Sequence, residues 1–322
     1  MALSNGYFSG MNEEKVRIFN TLQEQYRYLG LRTDLIDPDI EFTIFNLRDT
    51  LQPLLPFKSP IHRLNFFVFN FIKQGSGQYT IDDKTFPIEP GTIYFTNPGH
   101  YRAYEWQNTD EVYLITLSET FLKENIHADI FDEFPFLLAE TFPGRRLNEE
   151  NIAEFERIYL QIHHEYLSRS PFRKRIIANL FVVLLLKIKE HFWLDYNPIY
   201  EGNRSSWIVK SFKLLLEKHF RQLSDGQVQQ VFRVQDFADA QNLHPNYLST
   251  VIKSKTGKSI GTWIAEKMVA EAKSLLQNSN ISVKEIAYRL GFTESAHFSN
   301  YFKKHTKMSP AAYRSMQQQT RS

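Results

Sequence analysis

Two short runs of polar side chains in the last quarter of the sequence have the types and spacing to do chemistry. Asn246, Tyr247, Ser249, Thr250 and Lys253 form one, and Ser295, His297, Ser299, Asn300 and Lys303 form the other. Short amides and hydroxyls donate and accept hydrogen bonds as base edges require, and the Lys that closes each run is a compact cation suited to a phosphate. The apolar residues between them set the direction. Leu248 with Ile252, and Phe298 with Phe302, are i, i+4 pairs that must face a core, which leaves the polar residues on the opposite side of each helix.

The elements that must hold these helices form an internal repeat. Phe237, Ala238, Asn242 and Leu243 recur as Ile286, Ala287, Gly291 and Phe292, at an offset of 49 residues. With one inserted residue the match continues as Leu248, Ser249, Ile252, Lys253, Thr256 and Ser259 against Phe298, Ser299, Phe302, Lys303, Thr306 and Ser309. Each copy reads as a helix-turn-helix: a short helix with a small Ala on its inner face, a residue able to adopt φ > 0, an apolar anchor, then a second helix. Asn242 and Gly291 take the φ > 0 position. Ser282 and Glu285 have the spacing of a capping box at the start of the second copy, whereas Arg233 and Gln235 give the first copy a weaker start.

Charge restricts the partner. From residue 207 onward the chain has 17 Lys and Arg against 8 Asp and Glu, and before it 21 against 28, so +9 and −7 underlie an overall +2. Lys and Arg neutralise phosphates and acidic surface is repelled by them, as expected where only the C-terminal part meets a polyanion. The absence of Cys excludes disulfides, thiolate catalysis and Cys-ligated zinc. Residues 1–10 lack the basic flank and apolar core of a secretory signal. The longest apolar run, Leu180 to Leu186, falls far short of the roughly 20 residues that span a bilayer. A soluble, cytoplasmic protein without membrane contact is expected.

Upstream, Arg63 to Leu117 is rich in Phe, Tyr, Ile and Val and cut by turn residues, the pattern of short antiparallel strands in a small β-barrel or sandwich. Leu64 to Ile72 reads as a strand buried on both faces. Turns are expected at Gly75 to Gly77, at Asp82 and Asp83, at Pro90 and Gly91, and at Pro98 and Gly99. Phe69, Tyr79, Tyr94, Tyr104 and Trp106 either line an effector pocket or form the barrel core. Beyond Phe121 the pattern turns helical, with one amphipathic helix near Glu149 to Leu167 and another from about Pro171 to Trp193. The second is apolar on one side at Ile177, Leu180, Phe181, Leu184, Leu185 and Ile188, and on the other at Val182, Val183 and Leu186. That other side is covered either within the monomer or by a second copy in a two-fold dimer. Asp195 to Ser206 has linker composition. The expected division is a domain of strands and helices, with the candidate dimer helix, over 1–194, a linker over 195–206 and a basic helix-turn-helix domain suited to DNA over 207–322.

With these residues in view, the stretch 207–316 resembles the DNA-binding domain of the AraC/XylS family of bacterial regulators. The resemblance is carried by Glu285 to Phe292, then Phe298, Ser299, Phe302, Lys303 and Lys304, and by Ser309, Pro310, Tyr313 and Arg314. Asn246 to Ser249, Thr256 and Gly257 match in the first copy, and Trp263, Ile264, Ala272, Leu275 and Leu276 in the connecting helix. It implies a seven-helix domain whose two recognition helices enter successive major grooves, roughly 34 Å apart. Two positions depart from the pattern. Lys307 stands where the family usually has Gly, a cost on the order of 1 kcal/mol if that backbone is left-handed. Met268 stands where an Arg is common, with Lys267 beside it as a substitute phosphate contact.

The N-terminal half resembles the cupin-like sensor domain that accompanies such DNA-binding domains. Cupin enzymes hold a metal with clustered His and Glu. Here His62 is followed by Asn65, Phe67 and Phe69 without a nearby Glu, and His100 is the other candidate, so no metal, cofactor or catalytic residue is expected. The whole reads as an α+β transcription regulator controlled by an unidentified small-molecule effector. Its expected partners are double-stranded DNA and a second copy of the chain, and RNA polymerase is a further partner open to it. The alternative is a cupin-type metalloenzyme carrying a DNA-binding module.

Overall fold

The near-continuous apolar run ending at Ile72 opens the strand on which the N-terminal part is built. The computed structural model describes residues 17–319 other than 20, 38–39, 52–53, 82–83, 127–129, 139–143, 194–203 and 279. In chain order the elements are β1 (Arg17–Phe19), α1 (Leu22–Tyr28), β2 (Phe42–Asn46), α2 (Arg48–Leu51), β3 (Phe57–Lys58), β4 (His62–Leu64), β5 (Phe67–Ile81), β6 (Lys84–Ile88), β7 (Thr92–Thr96) and β8 (Tyr101–Leu117). There follow α3 (Glu119–Asn125), α4 (Ile130–Glu133), a 3-10 turn (Pro135–Leu138), β9 (Arg145–Arg146), α5 (Glu149–Leu167) and α6 (Arg173–Phe192). The C-terminal helices are α7 (Arg204–Ser224), α8 (Val234–Asp239), α9 (Pro245–Thr256), α10 (Ile260–Asn278), α11 (Val283–Arg289), α12 (Ser295–Thr306) and α13 (Pro310–Gln319).

Contacts divide the chain into two compact units, Met1–Ser118 with Glu140–Ser168, and Glu119–Ala139 with Arg169–Ser322. This grouping and the linear division at 195–206 differ, because α3, α4 and α6 fall with the C-terminal helices. Most of the expected linker lies outside the described residues, and its last three residues already belong to α7.

In the first unit β5 and β8 pair antiparallel along most of their length. β6 and β7 also pair with β5, and β2, β3 and β4 with β8. The path β1-β4-β8-β5-β7-β9 has two free ends, so among the described residues the sheet is open and the expected small barrel is not closed. The turn expected at Gly75 to Gly77 is also corrected. β5 runs straight through it with register shifts between Ile72 and Gly77. A Cβ on Gly75 would stand 2.6 Å from Val112 Cγ2, and one on Gly77 only 2.0 Å from the Glu105 carbonyl oxygen. These glycines let β8 approach closely at a bulge; they do not reverse the chain. The turn expected at Asp82 and Asp83 lies outside the described residues.

The two faces of this sheet differ. On one, Phe71 meets Phe155 and Tyr159 of α5, at ring separations of 6.5 and 5.4 Å. Asn148 starts α5 by accepting from Asn151 N at 2.8 Å, a side-chain cap of the usual kind. The other face carries a cluster of Ile72, Tyr79, Ile81, Ile88, Tyr94 and Trp106.

In the second unit α6 begins two residues after Pro171, whose expected place was inside the first turn. Ile177, Phe181, Leu184, Leu185 and Ile188 are buried as expected and Leu180 only half-buried, while on the other side Val182 is half-buried and Val183 and Leu186 remain 42% and 44% exposed. Among the described residues, nothing covers these two fully. The helices α7 to α13 share one core that includes Phe212, Phe237, Leu248, Ile252, Trp263, Ile286, Phe298 and Phe302. They number seven among the described residues, as the resemblance implied.

Candidate nucleic-acid interface

Each polar run sits on a helix that its own sequence starts, turns and stops. In the first copy the Asp236 carboxylate accepts from Arg233 N at 2.7 Å, and in the second Ser282 Oγ accepts from Glu285 N at 3.1 Å. Each copy thus uses a different half of the capping-box pattern. Asp236 gives α8 the firm start that Arg233 and Gln235 alone did not suggest. Glu285 pairs its carboxylate forward with Arg289 at 2.7 Å.

The turns are alike in detail. Asn242 has φ 53° and Gly291 φ 80°. Leu243 N then bonds to Ala238 O and Phe292 N to Ala287 O, both at 2.9 Å. A Cβ at Gly291 would lie 3.2 Å from Val231 Cγ2 and 3.3 Å from Gln229 O, a tight fit that adds to the conformational preference for Gly there.

The second helices end alike too. Thr256 Oγ1 donates to Ile252 O at 2.7 Å and Thr306 Oγ1 to Phe302 O at 2.8 Å. Gly257 and Lys307 follow in the left-handed region, at φ 74° and 65°, each donating its N–H to the Lys four residues back. Lys307 therefore does carry the left-handed backbone at which the Gly was missed.

Leu248, Ile252, Phe298 and Phe302 are fully buried. Asn246, Tyr247, Thr250 and Lys253 are exposed on α9, and His297, Asn300 and Lys303 on α12, while Ser249, Ser295 and Ser299 are half-buried at the edges of these stripes. At an offset of 50 residues the stripes superpose in sequence: Asn246 with Ala296, Tyr247 with His297, Ser249 with Ser299, Thr250 with Asn300, and Lys253 with Lys303. Thr250 Oγ1 donates back to Asn246 O at 2.9 Å, so its hydroxyl meets a ligand as an acceptor. Lys304 and His305, which the sequence reading gave no role, extend the exposed cationic end of α12.

The substitute contact proposed for Lys267 is overturned. Met268 is buried in the helical core, and Lys267 is only 2% exposed, paired to Glu217 and lying 3.3 Å from Glu271. Lys123 of α3 enters the same cluster, 2.6 Å from Glu271 and 3.2 Å from Glu217. Glu119 completes it, 3.5 Å from Lys267 and 3.7 Å from Lys123. Burial alone would lower the Lys123 pKa, and the surrounding carboxylates more than reverse that, holding it charged. Burial pushes Glu217 up to about 8, beyond what Lys123 offsets. Three carboxylates facing two ammonium groups balance when one keeps its proton.

The aromatic residues proposed for a pocket separate. Tyr79, Tyr94 and Trp106 lie buried in one cluster with Tyr104 half-buried against it. Phe69 pairs in register with Phe95, one residue out of phase with the Asn70 and Tyr94 pair, and therefore points to the opposite face. His62 has both ring nitrogens engaged, Nδ1 at 2.9 Å from Pro60 O and Nε2 at 3.3 Å from Gln25 Nε2.

Residues 237–316 match the family described as a helix-turn-helix domain, and residues 57–171 the family described as an AraC-like ligand binding domain. The chain thus joins an AraC-like ligand binding domain to a helix-turn-helix domain. Its C-terminal helices make it a DNA-binding transcription regulator, and its sheet unit is the ligand-binding domain through which an effector controls it. The HTH-type transcriptional activator RhaR of Shigella dysenteriae serotype 1 is 24% identical over 259 residues, which are 80% of this chain and 88% of that protein. The C-terminal domain of AraT, a response regulator from Geobacillus stearothermophilus, is 32% identical over 35% of this chain and 88% of that one, with a TM-score of 0.31. ToxT from Vibrio cholerae is 14% identical over 86% of this chain and 98% of that one, with a TM-score of 0.33.

Proposed function

We propose that this AraC-family chain is a one-component cytoplasmic regulator that activates transcription. It reads DNA through the outward stripes of α9 and α12 and acts as a homodimer held by α6. The observation that carries the reading is the superposition of the two stripes: the same turn, the same inward pair and the same closing Lys recur on both helices. Activation is supported by the name of the RhaR relative, and RNA polymerase is the partner an activator engages. Among the described residues no helix is long and apolar enough to cross a membrane.

The test titrates the full-length protein and its variants, across salt, against a duplex selected from random DNA and against a scrambled one. Asn246→Ala and Asn300→Ala should each cost about 1–3 kcal/mol on the selected duplex and little on the scrambled one, as for a bidentate base contact. Lys303→Ala should weaken both alike and lower the log-log salt slope by about 0.9, as for one phosphate. Equal losses on both duplexes for the Asn variants would mean that other faces of these helices read the bases.

For the dimer, the exposed Val183 and Leu186 of α6 form the proposed seam. Val183→Glu should convert the protein to monomer in analytical ultracentrifugation without loss of helical signal, since a charge there cannot be buried unpaired. A folded dimer surviving that change would place the interface elsewhere.

A further inference from the structure

Arg102 of β8 is 1% exposed. Its Cα stands opposite His62 of β4 and Ile81 of β5, so its side chain shares the sheet face of Ile81, Tyr104 and Trp106. A guanidinium has five N–H donors. One of them, on Nη2, bonds to Asn97 O at 2.8 Å. Nε and Nη1 are buried with no acceptor, and no carboxylate among the described residues pairs with this group.

The described neighbours supply no negative charge either. His62 is pushed down to about 4 by burial, with the Arg102 charge adding to it, so it is neutral at pH 7. Tyr94 is fully buried with no partner on its hydroxyl, and it lies within the electrostatic reach of Arg102. Arg63, one residue along the neighbouring strand, is treated differently: its guanidinium lies over the Tyr101 ring at 3.5 Å, a cation–π contact that partly replaces water. A buried cation left without such compensation is costly, and buried polar groups without partners are rare enough to require a cause.

We propose that Arg102 and the Tyr94 hydroxyl bind the oxyanion of a small organic acid, a carboxylate or phosphate ester, whose apolar part lies against the tyrosine rings beside them. Tyr79 stacks on Tyr94 at 3.9 Å and 3°, a flat aromatic wall. Phe86 and Tyr104, half-buried at the edge of the same cluster, are the side from which a ligand enters. With one Nη2 hydrogen taken by Asn97 O, one edge of the guanidinium still offers two N–H donors side by side, a geometry that an oxyanion satisfies and a neutral hydroxyl does not. This rests on the reading of the sheet unit as the effector domain, and it names the chemical class of the effector.

The experiment measures thermal midpoints of the full-length protein with benzoate, with phenyl phosphate and with neutral benzyl alcohol, against chloride at matched ionic strength. A saturable rise with one or both anions and none with the alcohol is expected, and the anion that acts tells carboxylate from phosphate. Arg102→Gln should weaken the apparent affinity about ten- to a hundredfold, the weight of a charge-assisted hydrogen bond. Tyr94→Phe, which keeps the ring, should weaken it less. No response to either anion, an equal response to the alcohol, or unchanged affinity in Tyr94→Phe should Arg102→Gln not fold, overturns the proposal. DNA affinity is read in the same samples. Anion binding through Arg102 that leaves DNA affinity unchanged keeps the site and removes effector control instead.

Discussion

Lys123→Ala should lower the stability of the helical unit by about 3–5 kcal/mol, the cost of leaving buried charges without their counter-ion. Lys123 is 1% exposed and holds carboxylates from two other helices, Glu217 of α7 and Glu271 of α10. Without it, three carboxylates face Lys267 alone. The loss is read as a fall in urea midpoint followed by helical circular dichroism, and a loss below about 1 kcal/mol would mean that water reaches the cluster. The effect depends on pH in a defined direction. Glu217 has its pKa raised from 4.5 to about 8, so the folded chain holds a proton that the unfolded chain releases. Its stabilising contribution is complete below about 4.5 and is lost as pH rises through 8. Glu217→Gln should therefore flatten the decline in stability between these limits.

Phe302→Ala should cost about 3–5 kcal/mol as well, through the cavity left by a buried ring. Phe302 is fully buried, 5.9 Å from the Phe298 ring and 5.6 Å from that of Tyr313, so it joins α12 to α13. The consequence for function is specific. With α12 loosened, affinity for the selected duplex should fall much more than in His297→Ala, which alters only an exposed side chain. Calorimetry and DNA titration on the same preparations make the comparison, and undiminished specific binding by Phe302→Ala would show that α12 does not read the site.

What the sequence made legible was local. The repeat, the inward pairs and the φ > 0 positions depend on residues within a turn or two of each other, so period and turn chemistry suffice to place Asn242, Gly291 and both stripes. What stayed hidden depends on partners far along the chain. Lys123 is separated from Glu217 and Glu271 by 94 and 148 residues, and nothing near Lys123 announces them. Gly75 and Gly77 were misread because a close approach by β8 needs the same residue type as a turn. Lys267 was taken for a phosphate contact because its neighbours in sequence do not show that its helix turns that side inward. Asp236, by contrast, was in plain view three residues after Arg233, and the capping pattern could have found it.

The two stripes share a scaffold but not an alphabet. Where α9 offers Asn246, Tyr247 and Thr250, α12 offers Ala296, His297 and Asn300, while the serines and the closing lysines are the same. Two identical readers in tandem would ask for the same letters twice. Under the proposed reading these would ask for different letters in a fixed order, so that a single chain would tell left from right along its target and bind as an arrow. A gene start has a direction, and a molecule that carries polarity within one subunit can face the transcribed side without borrowing that information from a partner.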